Sequence, residues 1–151
     1  MTIRTLKSTG LVVMAGLSIS WGLQAASAEK SLYDRLGGQP AVQAVASRLV
    51  DSILVDNRVN KWFAHAAASP ANADAYKAKL AEFICENTGG PCKYSGHDMV
   101  SAHKGRAVTS EAFDAVVQDL VGVLDNLKVP RNEKEQLLGI LGPLKSSIVQ
   151  K

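Results

Sequence analysis

The stretch Tyr76-Lys77-Ala78-Lys79-Leu80-Ala81-Glu82-Phe83-Ile84-Cys85-Glu86-Asn87-Thr88-Gly89-Gly90-Pro91 decides the fold class. Tyr76, Leu80, Phe83, Ile84 and Asn87 recur at i, i+4, i+7, i+8 and i+11, which is one face of an α-helix. Thr88-Gly89-Gly90-Pro91 then stops that helix hard. The same period recurs outward in both directions. Upstream, Val42, Val45, Leu49 and Ile53 form a stripe opened by Pro40, a first-turn proline. Downstream, Phe113, Val116, Val117, Leu120, Leu124 and Leu127 form another, with Thr109 or Ser110 as cap and Glu111 in the first turn. Leu137, Leu138, Leu141, Leu144 and Ile148 form a last stripe beyond Val129-Pro130. A short opening helix begins near Ser31 and ends at Gly37-Gly38. No long alternating run of β-branched and aromatic residues competes with this pattern. The expectation is one all-α domain whose stripes face a shared core.

Composition agrees. The 151 residues fit a single domain, and 17 Lys plus Arg against 14 Asp plus Glu give a net charge of +3. That balance is too even for a large nucleic-acid-binding surface. Aromatics are only 5% of the chain, so four helices could enclose a prosthetic group that fills the middle. The two cysteines, Cys85 and Cys92, exclude a disulfide-built mini-protein.

Residues 1–28 read as a secretory leader. Arg4 and Lys7 form a positive start, Leu11 to Leu23 an apolar run, and Ala26-Ser27-Ala28 a small-residue cleavage site before Glu29. The apolar run is shorter than the roughly 20 residues that a bilayer span needs. An uncleaved anchor is the other reading. Cleavage leaves residues 29–151 with a charge of about +1, no membrane attachment, and a periplasmic or secreted location. An oxidising compartment favours a disulfide between Cys85 and Cys92. Free thiols are the alternative if the helix end holds their Cα atoms more than about 7 Å apart.

Chemistry centres on the polar, Gly-interrupted segment from Pro91 to Ala107, a length of connection that tends to be functional. His103 lies there, in a helix-like turn from Met99 to Arg106. On spacing alone it is either a satisfied histidine or a metal ligand. No cysteine or histidine spacing suits zinc, and His65 and His97 read as solvated. No Cys-x-x-Cys-His occurs, so covalent attachment of a prosthetic group through paired thioethers is not expected.

Four blocks now carry a resemblance: Ser31-Leu32-Tyr33-Asp34-Arg35-Leu36-Gly37-Gly38; Asp56-Asn57-Arg58-Val59-Asn60-Lys61-Trp62-Phe63; Thr88-Gly89-Gly90-Pro91; and Tyr94-Ser95-Gly96-His97-Asp98-Met99 running into His103-Lys104-Gly105-Arg106. In this order and spacing, from Ser31 to about Ile148, the chain resembles a group I truncated haemoglobin, the short two-over-two globin. The resemblance implies haem b, with His103 as the proximal iron ligand. It implies Phe63 against the haem face, with Leu80, Phe83, Ile84 and Met99 lining the pocket and Tyr94 among the cofactor-binding residues. It also implies that the glycine pairs at 37–38 and 89–90 make the sharp turns around the cofactor.

The chain departs from the family at the distal side. Val50 stands where a tyrosine is usual and Leu80 where a glutamine is usual, so two common donors are apolar. Tyr76 is left as donor or ligand; otherwise it lies at the haem edge with its hydroxyl in water. The resemblance gives Lys79 either a haem propionate or, as a deprotonated amine, the sixth iron position. The implied function is reversible binding of a diatomic gas, O2, NO or CO, with NO dioxygenation allowed but no commitment to an enzyme. Electron transfer with an internal sixth ligand is the alternative, with an unidentified reductase as partner. A haem-free helical binding module is the rival from another class.

Overall fold

The computed structural model describes residues 29–149; the expected leader over residues 1–28 lies outside them. The helices are α1 (Leu32–Leu36), α2 (Gly38–Val55), α3 (Ala64–Ala67), α4 (Pro70–Asn87), α5 (Met99–His103), α6 (Ser110–Asn126), α7 (Arg131–Leu141) and α8 (Lys145–Ile148). Turns of 3-10 helix occupy Asn60–Phe63 and Gly142–Leu144. Among the described residues there is no strand, and no helix is long and apolar enough to cross a membrane.

The long helices form two pairs. α2 packs mainly on α4 and also on α6, while α6 meets α7 and α8. Their stripes meet in one core of Val42, Val45, Leu49, Ile53, Ala81, Ile84, Ala112, Ala115, Leu120, Leu124 and Leu137. Ile53, Ile84, Leu124 and Leu137 are at most 2% exposed. Each contributes about 1.5–3 kcal/mol by burial. Val50 is equally buried but lies outside that cluster.

Local signals explain the boundaries. The Ser31 hydroxyl accepts the Asp34 N–H at 3.1 Å to start α1, and Gly37, at φ 110°, ends it. α2 then begins at Gly38 itself, so the glycine pair joins two helices rather than opening a loop. α4 starts one and a half turns before the apolar stripe suggested. Ser69 caps the Asn72 N–H and Pro70 takes the first turn, where its missing N–H costs nothing. Thr109 caps α6. The last stripe is broken at Gly142-Pro143, because proline cannot donate to the preceding turn. The fragment beyond the break, α8, packs against α5.

The turn after α4 is the tightest part of the fold. The Thr88 hydroxyl donates to the Ile84 carbonyl at 2.7 Å, and the Thr88 carbonyl accepts the Tyr33 N–H at 2.9 Å, tying α4 to α1. A Cβ at Gly90 would lie 2.6 Å from both Cys85 Sγ and the Tyr33 ring, so only glycine fits. Cys85 and Cys92 form a disulfide across this turn, with Cα atoms 5.7 Å apart. The alternative of free thiols is thereby excluded.

Candidate functional site

One face of α4 carries Tyr76, Lys79 and Phe83, and the chain returns opposite it through residues 92–98 into α5. Phe63, at the end of the 3-10 turn, meets Tyr76 edge-on with ring centroids 5.6 Å apart. Phe83 meets Tyr94 likewise at 5.2 Å. Tyr76 is 38% exposed, yet its surroundings exclude enough water to push the phenol up to about 12. The Tyr94 ring adds to that rise and the Arg106 guanidinium opposes it. The Tyr76 ring thus borders solvent on one side and Phe63 on the other. Arg106 closes the same region: its Nε donates to the Ala102 carbonyl at 2.8 Å, and its own carbonyl accepts the Trp62 indole N–H at 3.0 Å.

His103 ends α5, a five-residue helix. The Asp98 carboxylate caps it, accepting the Ser101 N–H at 3.0 Å. Hydrogen bonding from the Ser101 side chain, then that backbone bond and further backbone N–H groups, hold the Asp98 carboxyl below its ordinary value. Its cap is therefore fully charged above the usual carboxylate range and is lost as pH falls through the lowered value. Half-buried His103 places Nδ1 2.8 Å from the Met99 carbonyl oxygen. A carbonyl can only accept, so in the neutral ring the proton sits on Nδ1. Nε2 then keeps its lone pair, the form that ligates a metal.

These residues fit a haem better than a bare ion. Among the described residues, no group of three or more His, Cys, Asp or Glu could hold a metal ion. A haem iron brings four porphyrin nitrogens and asks the protein for one imidazole, which His103 offers in the correct tautomer. Phe63, Phe83 and Tyr94 supply aromatic rings beside α4.

Comparison with known proteins agrees. A family model for bacterial-like globins matches residues 31–150. The group 1 truncated hemoglobin GlbN of Mycolicibacterium paratuberculosis is 31% identical over 118 residues, covering 78% of this chain and 83% of the relative. The chain belongs to the group I truncated haemoglobins. The Fe(III) crystal structure of truncated hemoglobin from Tetrahymena pyriformis superposes with a TM-score of 0.73 at 25% identity, covering 81% of this chain and all of the other. The 2/2 hemoglobin from Synechococcus sp. PCC 7002, solved in the cyanomet state with covalently attached heme, gives 0.71 at 26% identity over the same shares. This truncated globin is accordingly a haem b protein whose ligands are small gases such as O2.

The remaining sequence candidates fall as follows. Leu80 and Met99 are half-buried, with Leu80 against the main core. Ile84 belongs to the core instead of the Tyr76 group. It lines a separate apolar cavity of about 100 Å³ with Leu36, Val42, Val45 and Leu137. The Lys79 ammonium is engaged by Glu82 at 3.2 Å and by the Ser95 hydroxyl. His65 and His97 are exposed. Sequence reasoning missed Arg106, Glu82 and Glu86 as site residues. Arg106 stood inside a quoted block, but nothing in its spacing reveals that its backbone carbonyl would hold Trp62.

Proposed function

We propose that this truncated globin is an exported gas-binding protein in which His103 holds the haem iron and Tyr76 is the distal donor. The bound group supplies reversible coordination of a diatomic ligand; the chain supplies the axial imidazole, the cleft and the polarity around the ligand. The observation that carries the reading is the His103–Met99 hydrogen bond, which leaves Nε2 as the ligating nitrogen. The disulfide supports export, because such bonds persist in oxidising compartments.

On the distal side the two readings of Tyr76 differ chemically. Ligation needs a phenolate, and the surroundings that push the Tyr76 phenol up to about 12 disfavour that anion. A neutral phenol donates a hydrogen bond. Val50 and Leu80 cannot, so Tyr76 is the donor toward O2. Tyr76→Phe is expected to speed O2 dissociation about tenfold, equivalent to a bond worth about 1.4 kcal/mol. CO carries less charge and should change much less. Equal small changes for both gases in stopped-flow dissociation would leave Tyr76 without this role.

Lys79 is tied to Glu82 and Ser95, partners it would have to leave to reach the iron. The ferrous protein without gas should therefore be five-coordinate. A six-coordinate ferrous spectrum that Lys79→Ala converts to five-coordinate would instead select electron transfer. NO dioxygenation, with NO oxidised to nitrate by O2, is compatible with this site and needs an external reductase.

A further inference from the structure

Residues 92–98 join the turn after α4 to α5 without helical hydrogen bonds of their own. Backbone N–H groups in such a run need acceptors from elsewhere. Two of them find carboxylates placed one turn apart on α4. The Tyr94 N–H donates to Glu86 Oε2 at 3.1 Å, and the Ser95 N–H donates to Glu82 Oε2 at 3.3 Å. The Ser95 hydroxyl donates to the same Glu82 oxygen at 2.9 Å. Lys79 pairs with Glu82 at 3.2 Å, and Lys93 pairs with Glu86 at 3.4 Å.

Exposed ion pairs alone contribute little. These carboxylates differ because they accept from the main chain, where the donor is fixed and the bond is charge-assisted. The bonds from Ser95 and Lys79 also hold the Glu82 carboxyl below its ordinary value. What they fix is Tyr94, whose ring packs on Phe83 and whose position influences Tyr76. The Cys85–Cys92 disulfide anchors the near end of the same run.

We propose that Glu82 and Glu86 are positioning residues that strap residues 93–95 to α4 and so hold the Tyr94 wall of the haem cleft in place. The functional half of this proposal rests on the haem reading above; the structural half does not.

The test compares wild type with Glu82→Ala/Glu86→Ala, with Glu82→Gln/Glu86→Gln, and with Glu135→Gln as a surface control. Two quantities are read on the purified chain: amide exchange at Tyr94 and Ser95, and haem transfer to an excess of acceptor apoglobin. The double alanine variant should raise both rates about tenfold. The glutamine variant keeps an acceptor oxygen on each side chain and should recover most of the loss. Glu135→Gln should change neither. Unchanged exchange at Tyr94 and Ser95 overturns the strap. An equal acceleration at Leu120 and Leu124 of α6 also overturns it, because the effect is then global destabilisation. Faster local exchange with unchanged haem transfer overturns the functional half. If wild type takes up no haem, the proposed function fails, and the exchange readings still decide the strap.

Discussion

His103→Ala is expected to lower haem affinity by at least about a hundredfold, because even partners of a metal ligand typically cost 10–100-fold when removed. The side chain is the lone candidate imidazole: His65 and His97 are exposed, and no described cluster offers another metal-binding group. His65→Ala and His97→Ala should therefore keep wild-type affinity. The check is a Soret titration of all three variants against wild type. Loss confined to His103→Ala, with external imidazole restoring the band in His103→Gly, identifies a ligand and not a packing residue. Equal retention in all three would remove His103 from the iron. The fold should survive the change, since α5 is anchored by the Asp98 cap and by α8 and does not depend on the His103 ring for its start.

The parts of this assignment differed in how visible they were in the chain. The helices of the core were legible because their apolar residues repeat at the helical period and their ends carry glycine, proline and capping hydroxyls. Short pieces were not. The 3-10 turn at Asn60–Phe63 and α3 are too brief to show a period, and their conformation is set by packing against α2 and α4. The start of α4 was written in Ser69-Pro70, but its first turns face outward and carry no apolar stripe. The break at Gly142-Pro143 lay inside a stripe that continues across it, so hydrophobic spacing alone concealed it.

The site divides in the same way. His103 and Phe63 stand in the quoted motif blocks and Tyr76 and Phe83 on the helical stripe of α4, and the structure brings Phe63 to Tyr76 and Phe83 to Tyr94. The protonation pattern was not legible. Only the Met99 carbonyl sets the His103 tautomer, and only the folded surroundings of Tyr76 push its phenol up. Ile84 follows Phe83 by a single position, and that 100° rotation around α4 turns it into the core. Glu82 and Glu86 carry no signal in the sequence, because their partners are backbone groups of an irregular segment outside the helix.

Removing the Cys85–Cys92 disulfide is expected to destabilise the fold by about 2.5 kcal/mol, the loop-entropy figure for a ring of this size. That corresponds to a fall of roughly 10 °C in Tm for a domain of this length. The two single variants should differ. Cys85 is fully buried at the end of α4, whereas Cys92 is half-buried. Cys92→Ser loses the constraint and leaves a thiol in an apolar site, which suits it. Cys85→Ser loses the same constraint and also buries a hydroxyl, adding about 1–3 kcal/mol unless it finds a partner. Thermal melts of both variants, and of wild type with and without reductant, separate these contributions. Wild type purified without reductant should show no titratable thiol before or after denaturation; two thiols in the native protein would exclude the bond. The cost should also be local in its consequence. The disulfide fixes the segment from which Tyr94 and Ser95 reach Glu86 and Glu82, so reduction should loosen that segment before the α2–α6 core opens. Reductant should then accelerate haem loss at temperatures well below the melt. A chain built this way should therefore retain its cofactor best under oxidising conditions.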